Sequence, residues 1–212
     1  MSNPITKKIV SVFNYLKDNS LDNPYIFNNV RRVIAGNQEQ TKLFAKKFLK
    51  SYKCKTVIDV CSGTGDFASS VDKDINYLGV DINEDYVNYS KNKYKKDKNK
   101  EFRIGDMLDR SQFNGKKFDA AMLISTIHHF SDHELNILLP ILKKITRKIV
   151  IVADIIPNPP HAIERMFVRL DRGKYIRPEK EKIKILKKHF KIIKTMRIPS
   201  RFSIQYGVIC QV

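Results

Sequence analysis

Thr56-Val57-Ile58-Asp59-Val60-Cys61-Ser62-Gly63-Thr64-Gly65-Asp66 runs from a β-branched strand into a glycine turn, and the segments around it follow from that start. Residues 56–60 have the apolar, β-branched makeup of a strand buried on both faces of a parallel sheet. Gly63 and Gly65 lack a Cβ, so they reach positive φ and let a ligand approach the backbone. A helix is predicted over 66–72. Strand, tight turn and helix make the first unit of a nucleotide-type α/β site. Turns of this kind also occur without ligands, and the flanking segments decide.

Downstream, strands are predicted at 76–81, 101–104, 118–124 and 148–154, with helices at 83–96 and 131–146. This alternation implies a parallel sheet with helices on both faces. A helix is predicted to start near Pro178, and two β-rich runs, 190–198 and 202–211, close the chain. The turn between them, Pro199-Ser200-Arg201, is too short for a crossover and suits an antiparallel hairpin. Upstream, Ile5, Ile9, Phe13 and Leu16 fall at helical spacing. Pro24 and Gly36 bracket a second helix, and Asn37 with Gln40 reads as a capping box for a third. The chain is expected to be one domain: a helical cap (1–52), a cofactor-binding core (53–154), a substrate-covering insert (155–177) and a closing helix and hairpin (178–212).

Composition excludes several classes. No apolar run approaches the roughly 18 residues of a membrane helix, and the start of the chain does not read as a signal peptide. The three cysteines are far apart and form no Cys-x-x-Cys pair, which suits a reducing cytoplasm and neither a zinc finger nor a disulfide framework. The net charge of +18 allows a nucleic-acid partner, but the lysines are spread along exposed helix faces and do not favour one.

The turn has no Lys-Ser/Thr of a P-loop. It does satisfy G-x-G-x-x-A through Ala68, with Asp81 at the distance expected of a dinucleotide fold. Against a dinucleotide stand Asp59, placed to accept from an ammonium group, Asp66, which would repel a pyrophosphate, and the closing hairpin.

Residues 57–66 resemble motif I of class I S-adenosylmethionine-dependent methyltransferases, nearest the D-V-C-x-G-T-G-D form of menaquinone/ubiquinone C-methyltransferases. Gly79-Val80-Asp81-Ile82, Gly105-Asp106-Met107, Phe118-Asp119-Ala120-Ala121-Met122 and Ile127-His128-His129-Phe130 resemble the family's later landmarks, in order. The resemblance implies a Rossmann-like fold with a seven-stranded sheet, six strands parallel and the last antiparallel, and the helical spacing upstream adds an N-terminal helical cap. It also implies S-adenosylmethionine as cofactor, leaving S-adenosylhomocysteine. The implied cofactor residues are Asp59, Ser62, Gly63, Thr64, Gly65, Asp81, Ile82, Asp106, Met107 and Ser125, with Asp81 on the ribose and Asp106 at the adenine amine.

Asp59, Asp81, Asp106 and Asp154 all fall at predicted strand ends, so carboxylates gather at one rim of a basic chain. His128 is the candidate base and His129 a second residue at the pocket mouth. Arg172 and Tyr175, near Arg177, are candidate substrate contacts. No metal is expected, because Ser131 and Glu134 read as a helix cap and His133 as an exposed first-turn residue. Asn158-Pro159-Pro160-His161 resembles an amino-group methyltransferase loop but follows the wrong strand. The expected function is methyl transfer to O, N or C of a small molecule. The alternatives are an RNA or protein methyltransferase, an NAD(P) oxidoreductase, and a non-catalytic binding module.

Overall fold

The computed structural model describes residues 23–36, 38–113, 115–200 and 204–212; the helix expected over 5–17 lies outside them. Seven strands form one sheet: β1 (Thr56–Val60), β2 (Asn76–Asp81), β3 (Lys100–Ile104), β4 (Phe118–Ile124), β5 (Thr146–Ile155), β6 (Lys191–Pro199) and β7 (Ile204–Gln211). Their order is β3-β2-β1-β4-β5-β7-β6. β1 lies between β2 and β4, both parallel to it, and β7 runs antiparallel between β5 and β6. The order reverses beside β1, and the crevice at such a reversal is where open α/β sheets bind ligands.

The two-residue repeat of the strands feeds two cores. Ile58, Val60, Ala121, Leu123, Val150 and Val152 face one side, where Leu135, Leu138, Leu139 and Leu142 of α4 (Asp132–Ile145) and Leu186 of α6 (Glu179–Lys187) cover them. Val57, Ala120, Met122, Ile149 and Ile151 face the other side, under Phe44, Ala45 and Leu49 of α2 (Glu39–Ser51) and Val87 of α3 (Glu84–Lys93). Each such buried side chain stabilises the fold by about 1.5–3 kcal/mol, so the central strands are apolar on both faces.

Local signals set most helix ends. Asn23 Oδ1 accepts from the N–H groups of Tyr25 and Ile26, with Pro24 in the first turn, and starts α1 (Pro24–Ala35). Gly36, at φ 63°, ends it. The Ser131–Glu134 capping box forms as expected: the Ser131 N–H donates to Glu134 Oε2 at 2.7 Å, and Ser131 Oγ accepts from the Glu134 N–H at 3.2 Å. Two helix expectations differ. α2 is preceded by Gln38 in left-handed backbone with no side-chain capping bond, and Asn37 lies outside the described residues. A tertiary bond, Thr41 Oγ1 to Gln205 Oε1 at 2.6 Å, ties down that first turn; the expected Asn37–Gln40 box falls partly outside the described residues. The helix expected over 66–72 is a single 3-10 turn, Phe67–Ser70. Two serines there, Ser69 and Ser70, turn back to carbonyls three residues earlier and favour the tighter turn.

Candidate cofactor and acceptor site

The glycine turn is held from both sides. Gly63 has φ +54°, and a Cβ there would meet nothing within 4 Å among the described residues, so they leave its outer face open. Gly65 has φ +67°, and a Cβ there would lie 2.9 Å from the Phe102 ring, so this glycine serves packing. Thr64 is buried and its hydroxyl donates to Asn28 Oδ1 of α1 at 2.6 Å. Arg31 of α1 pairs with Asp66 at 2.7 Å and Lys42 joins at 3.2 Å. Burial works against the charged form of Asp66, but Arg31 and then Lys42 hold its carboxyl below the usual range. Arg31 is thus engaged by Asp66. Ser62 is buried beside Gly79, and its Oγ has no hydrogen-bond partner among the described residues.

At the end of β2, Asp81 is buried. Its Oδ2 accepts the Gly63 N–H at 2.7 Å and its Oδ1 the Asn83 N–H at 2.9 Å. These bonds fix the carboxylate against the turn and leave acceptor capacity on both oxygens. Burial raises its pKa, opposed by these N–H groups and by the nearby charge of Arg172. Ile82 stands next to it 72% exposed, an apolar surface at a polar rim. Asp106 is exposed and accepts the Leu108 N–H at 2.9 Å, while Met107 is buried in the core.

Asp59 lies inside β1 as expected, but its side chain is turned into the protein. It is only 2% exposed and receives the Tyr77 hydroxyl at 2.5 Å. Desolvation pushes its pKa up to about 7, against the Tyr77 bond. A side chain sealed beneath the rim, facing a tyrosine, is not placed to accept from a ligand ammonium. Cys61 and Ser125 follow β1 and β4 in left-handed backbone, at φ 55° and 52°. Such non-glycine conformations cost roughly 1–3 kcal/mol and concentrate at functional sites. Ser125 Oγ accepts from Gln205 Nε2 at 2.8 Å. Burial, then the charges of Asp81 and Asp59, push the Cys61 thiol up, so it stays protonated.

On the β4–β5 side the structure reverses the expected roles of the histidine pair. His128 is 2% exposed and Asp154 is fully buried. The His128 Nδ1–H donates to Asp154 Oδ1, the His128 backbone N–H donates to Asp154 Oδ2 at 2.9 Å, and the Ile155 N–H adds a third bond at 2.9 Å. His128 Nε2 faces Asp171 Oδ1 at 3.2 Å. Burial opposes charge on the ring, but Asp154 and then Asp171 raise its pKa to about 10. With both ring nitrogens taken, His128 is not a free base. His129, the second residue expected at the pocket mouth, is the exposed one. Partial desolvation by its neighbours and then the charge of His128 hold its pKa down to about 4. Lys182 is also buried here and donates to the carbonyls of Asp154 and Ile155; burial lowers its pKa.

The insert folds over this cluster. It holds α5 (Ala162–Leu170), at whose start the His161 N–H donates to Glu164 and Arg165 binds the carbonyls of Pro159 and Pro160. The Asn158-Pro159-Pro160-His161 stretch is therefore held by its own helix. Arg172 donates to the Tyr86 hydroxyl at 3.1 Å and lies over the Phe27 ring of α1. Tyr175 is partly exposed and its N–H donates to the His128 carbonyl at 2.9 Å. Arg177 is buried, binding Asp132 and the carbonyls of Ile127, Tyr175 and Phe130, so it clamps the loop. Sequence reasoning missed Asp171 as the partner of His128, and no local pattern pointed to it.

Residues 57–148 match the family model described as a methyltransferase domain. Among solved structures, the chain is similar to magnesium protoporphyrin IX methyltransferase from Synechocystis PCC 6803 with bound SAH: 19% identity, 82% of this chain and 83% of that one, TM-score 0.67. It is similar to the methyltransferase domain of a bacterial Hen1 protein, CtHen1, at 22% identity, 83% and 100% coverage and TM-score 0.68. It is also similar to an O-methyltransferase family protein from Burkholderia thailandensis, at 14% identity, 89% and 59% coverage and TM-score 0.70. These likenesses establish a shared Rossmann-like methyltransferase fold. No curated protein sequence matches the chain.

Proposed function

We propose that this protein is an S-adenosylmethionine-dependent methyltransferase acting on O, N or C of a small molecule. The observation that carries the reading is the junction of Gly63 and Asp81: an open glycine backbone bonded to a buried carboxylate with acceptor capacity left over. That donor set fits a ribose diol. Beside it, exposed Ile82 offers an apolar face for adenine, and Asp106 an acceptor for its amine. A dinucleotide fits less well, because a lone 3-10 turn lacks the helix dipole that binds pyrophosphate and Asp66 stands at its start.

The bound cofactor would supply an already activated methyl group on a sulfonium. What remains for the chain is alignment and exclusion of water. α1 reaches over the glycine turn through Asn28 and Arg31, and the insert covers the His128 side through Arg172 and Tyr175. Basic side chains favour a small acceptor over RNA by where they lie. Lys91, Lys95 and Arg103 line a groove at the β3 edge, and Lys187, Lys188 and Lys191 line another at the β6 edge, so the charge is split between opposite edges of the sheet.

Calorimetric titration with S-adenosylhomocysteine and with NADH tests the reading. Binding of the first in preference to the second is expected, and the reverse preference would establish the oxidoreductase alternative. A screen of hydroxylated, amino and ring-carbon acceptors with labelled cofactor then identifies the substrate.

A further inference from the structure

His128, His129 and Asp171 bring two imidazoles and a carboxylate together beyond the end of β4. One donor atom of each lies within 4.8 Å of those of the other two. The histidines share one 3-10 turn, Ile127–His129, with their rings 4.2 Å apart. Asp171 arrives from the end of α5. Its approach depends on Gly173: a Cβ there would lie 1.9 Å from His128 Cδ2, so only glycine lets the loop close on the ring. The Gly173 N–H also donates to Asp171 Oδ1 at 2.6 Å and fixes the carboxylate's direction.

We propose that His128, His129 and Asp171 form a binding site for a divalent first-row transition-metal ion. Asp154 supplies the outer shell. It is fully buried, takes the Nδ1–H of His128 and is pinned by two backbone N–H groups, so it fixes the ring with Nε2 directed at Asp171. Histidine ligands are held in this way by a carboxylate on the second nitrogen. In the metal-free chain Nε2 and Asp171 Oδ1 are an ion pair at 3.2 Å, so an ion would replace the shared Nε2 proton and sit between two atoms already at the spacing of adjacent ligands. Two imidazoles and one carboxylate suit zinc, manganese, iron(II), cobalt or nickel, and leave coordination positions open; calcium and magnesium prefer all-oxygen shells.

The loop that carries Asp171 also reaches the cofactor rim. Arg172, next to Asp171 in the chain, reaches Tyr86 of α3 and carries its charge near Asp81. An ion here would hold an oxygen or nitrogen of the acceptor beside the transferable methyl. That role rests on the methyl-transfer reading; the binding of the ion does not.

The test uses the full chain, stripped with a chelator and titrated with cobalt(II) chloride without any adenosyl ligand. Visible absorption reports the ligand field and calorimetry the stoichiometry. One equivalent is expected to bind, with visible bands, and to be displaced by zinc. His129→Ala, at an exposed position, and Asp171→Asn should each weaken binding roughly tenfold or more, while His133→Ala leaves it unchanged. Melting curves for each variant report folding, and if Asp171→Asn does not fold, His129→Ala decides alone. No cobalt binding by the wild type, or equal affinity in His129→Ala, overturns the proposal. Either result can coexist with intact S-adenosylhomocysteine binding, so the metal site and the methyl-transfer reading fail separately.

Discussion

Asp81 is the last residue of β2 and Asp154 the last but one of β5, yet they do opposite things. Asp81 binds two backbone N–H groups and keeps acceptor capacity at an open rim. Asp154 is spent on the protein itself, between the His128 ring, two backbone N–H groups and the nearby charge of Lys182. The difference lies in what covers each. Beside Asp81 the turn has only Gly63, which leaves space; over Asp154 the insert lays down Asp171 and Gly173. Strand-end position therefore marks where a carboxylate can act, and the covering segment decides whether a ligand reaches it.

Removing Asp154 should break this contrast with the largest effect. Asp154→Ala leaves the His128 ring and Lys182 buried with an essential partner gone, and should destabilise the fold by about 3–5 kcal/mol, read from urea unfolding. If Asp81→Ala proved as costly to stability, the division between a structural and a binding carboxylate would be lost. Gly65→Ala should cost less, roughly 1–3 kcal/mol, because positive φ and the Phe102 ring both oppose a Cβ. Gly63→Ala meets no atom, so it should lose less stability and still impair cofactor binding.

The effect of Asp59, the sealed carboxylate, is set by pH. Its folded pKa of about 7 lies above the unfolded value near 3.9. The folded state therefore binds the proton more tightly. This group's contribution is complete below pH ~4 and is lost as pH rises through 7, at no more than about 1.4 kcal/mol per pH unit. Wild-type stability should fall over that window by more than that of Asp59→Asn, measured as unfolding free energy against pH. Parallel curves would mean that Asp59 is ionised inside the fold.

Much of the fold was legible because its signals are local. The β-branched run at 56–60, the glycine turn, the short hairpin connection and the Ser131–Glu134 box each specify their structure within a few residues. The 3-10 turn after Asp66 was not, since Ser69 and Ser70 compete with the helix through side-chain bonds that the apolar pattern does not register. The rim carboxylates were found by position, but their fates depend on Tyr77 for Asp59 and on His128 and Lys182 for Asp154, partners set by the sheet and its crossovers. His128 looked like a base because Asp171 lies 43 residues further on, and only the folded insert brings them within 3.2 Å.

Titration of wild type and Asp81→Ala with S-adenosylhomocysteine tests the central claim most directly. The wild type should bind, and Asp81→Ala, which loses charge-assisted bonds to the ribose, should bind roughly tenfold or more weakly while remaining folded. No measurable binding by the wild type, or equal affinity in the two proteins, would contradict it.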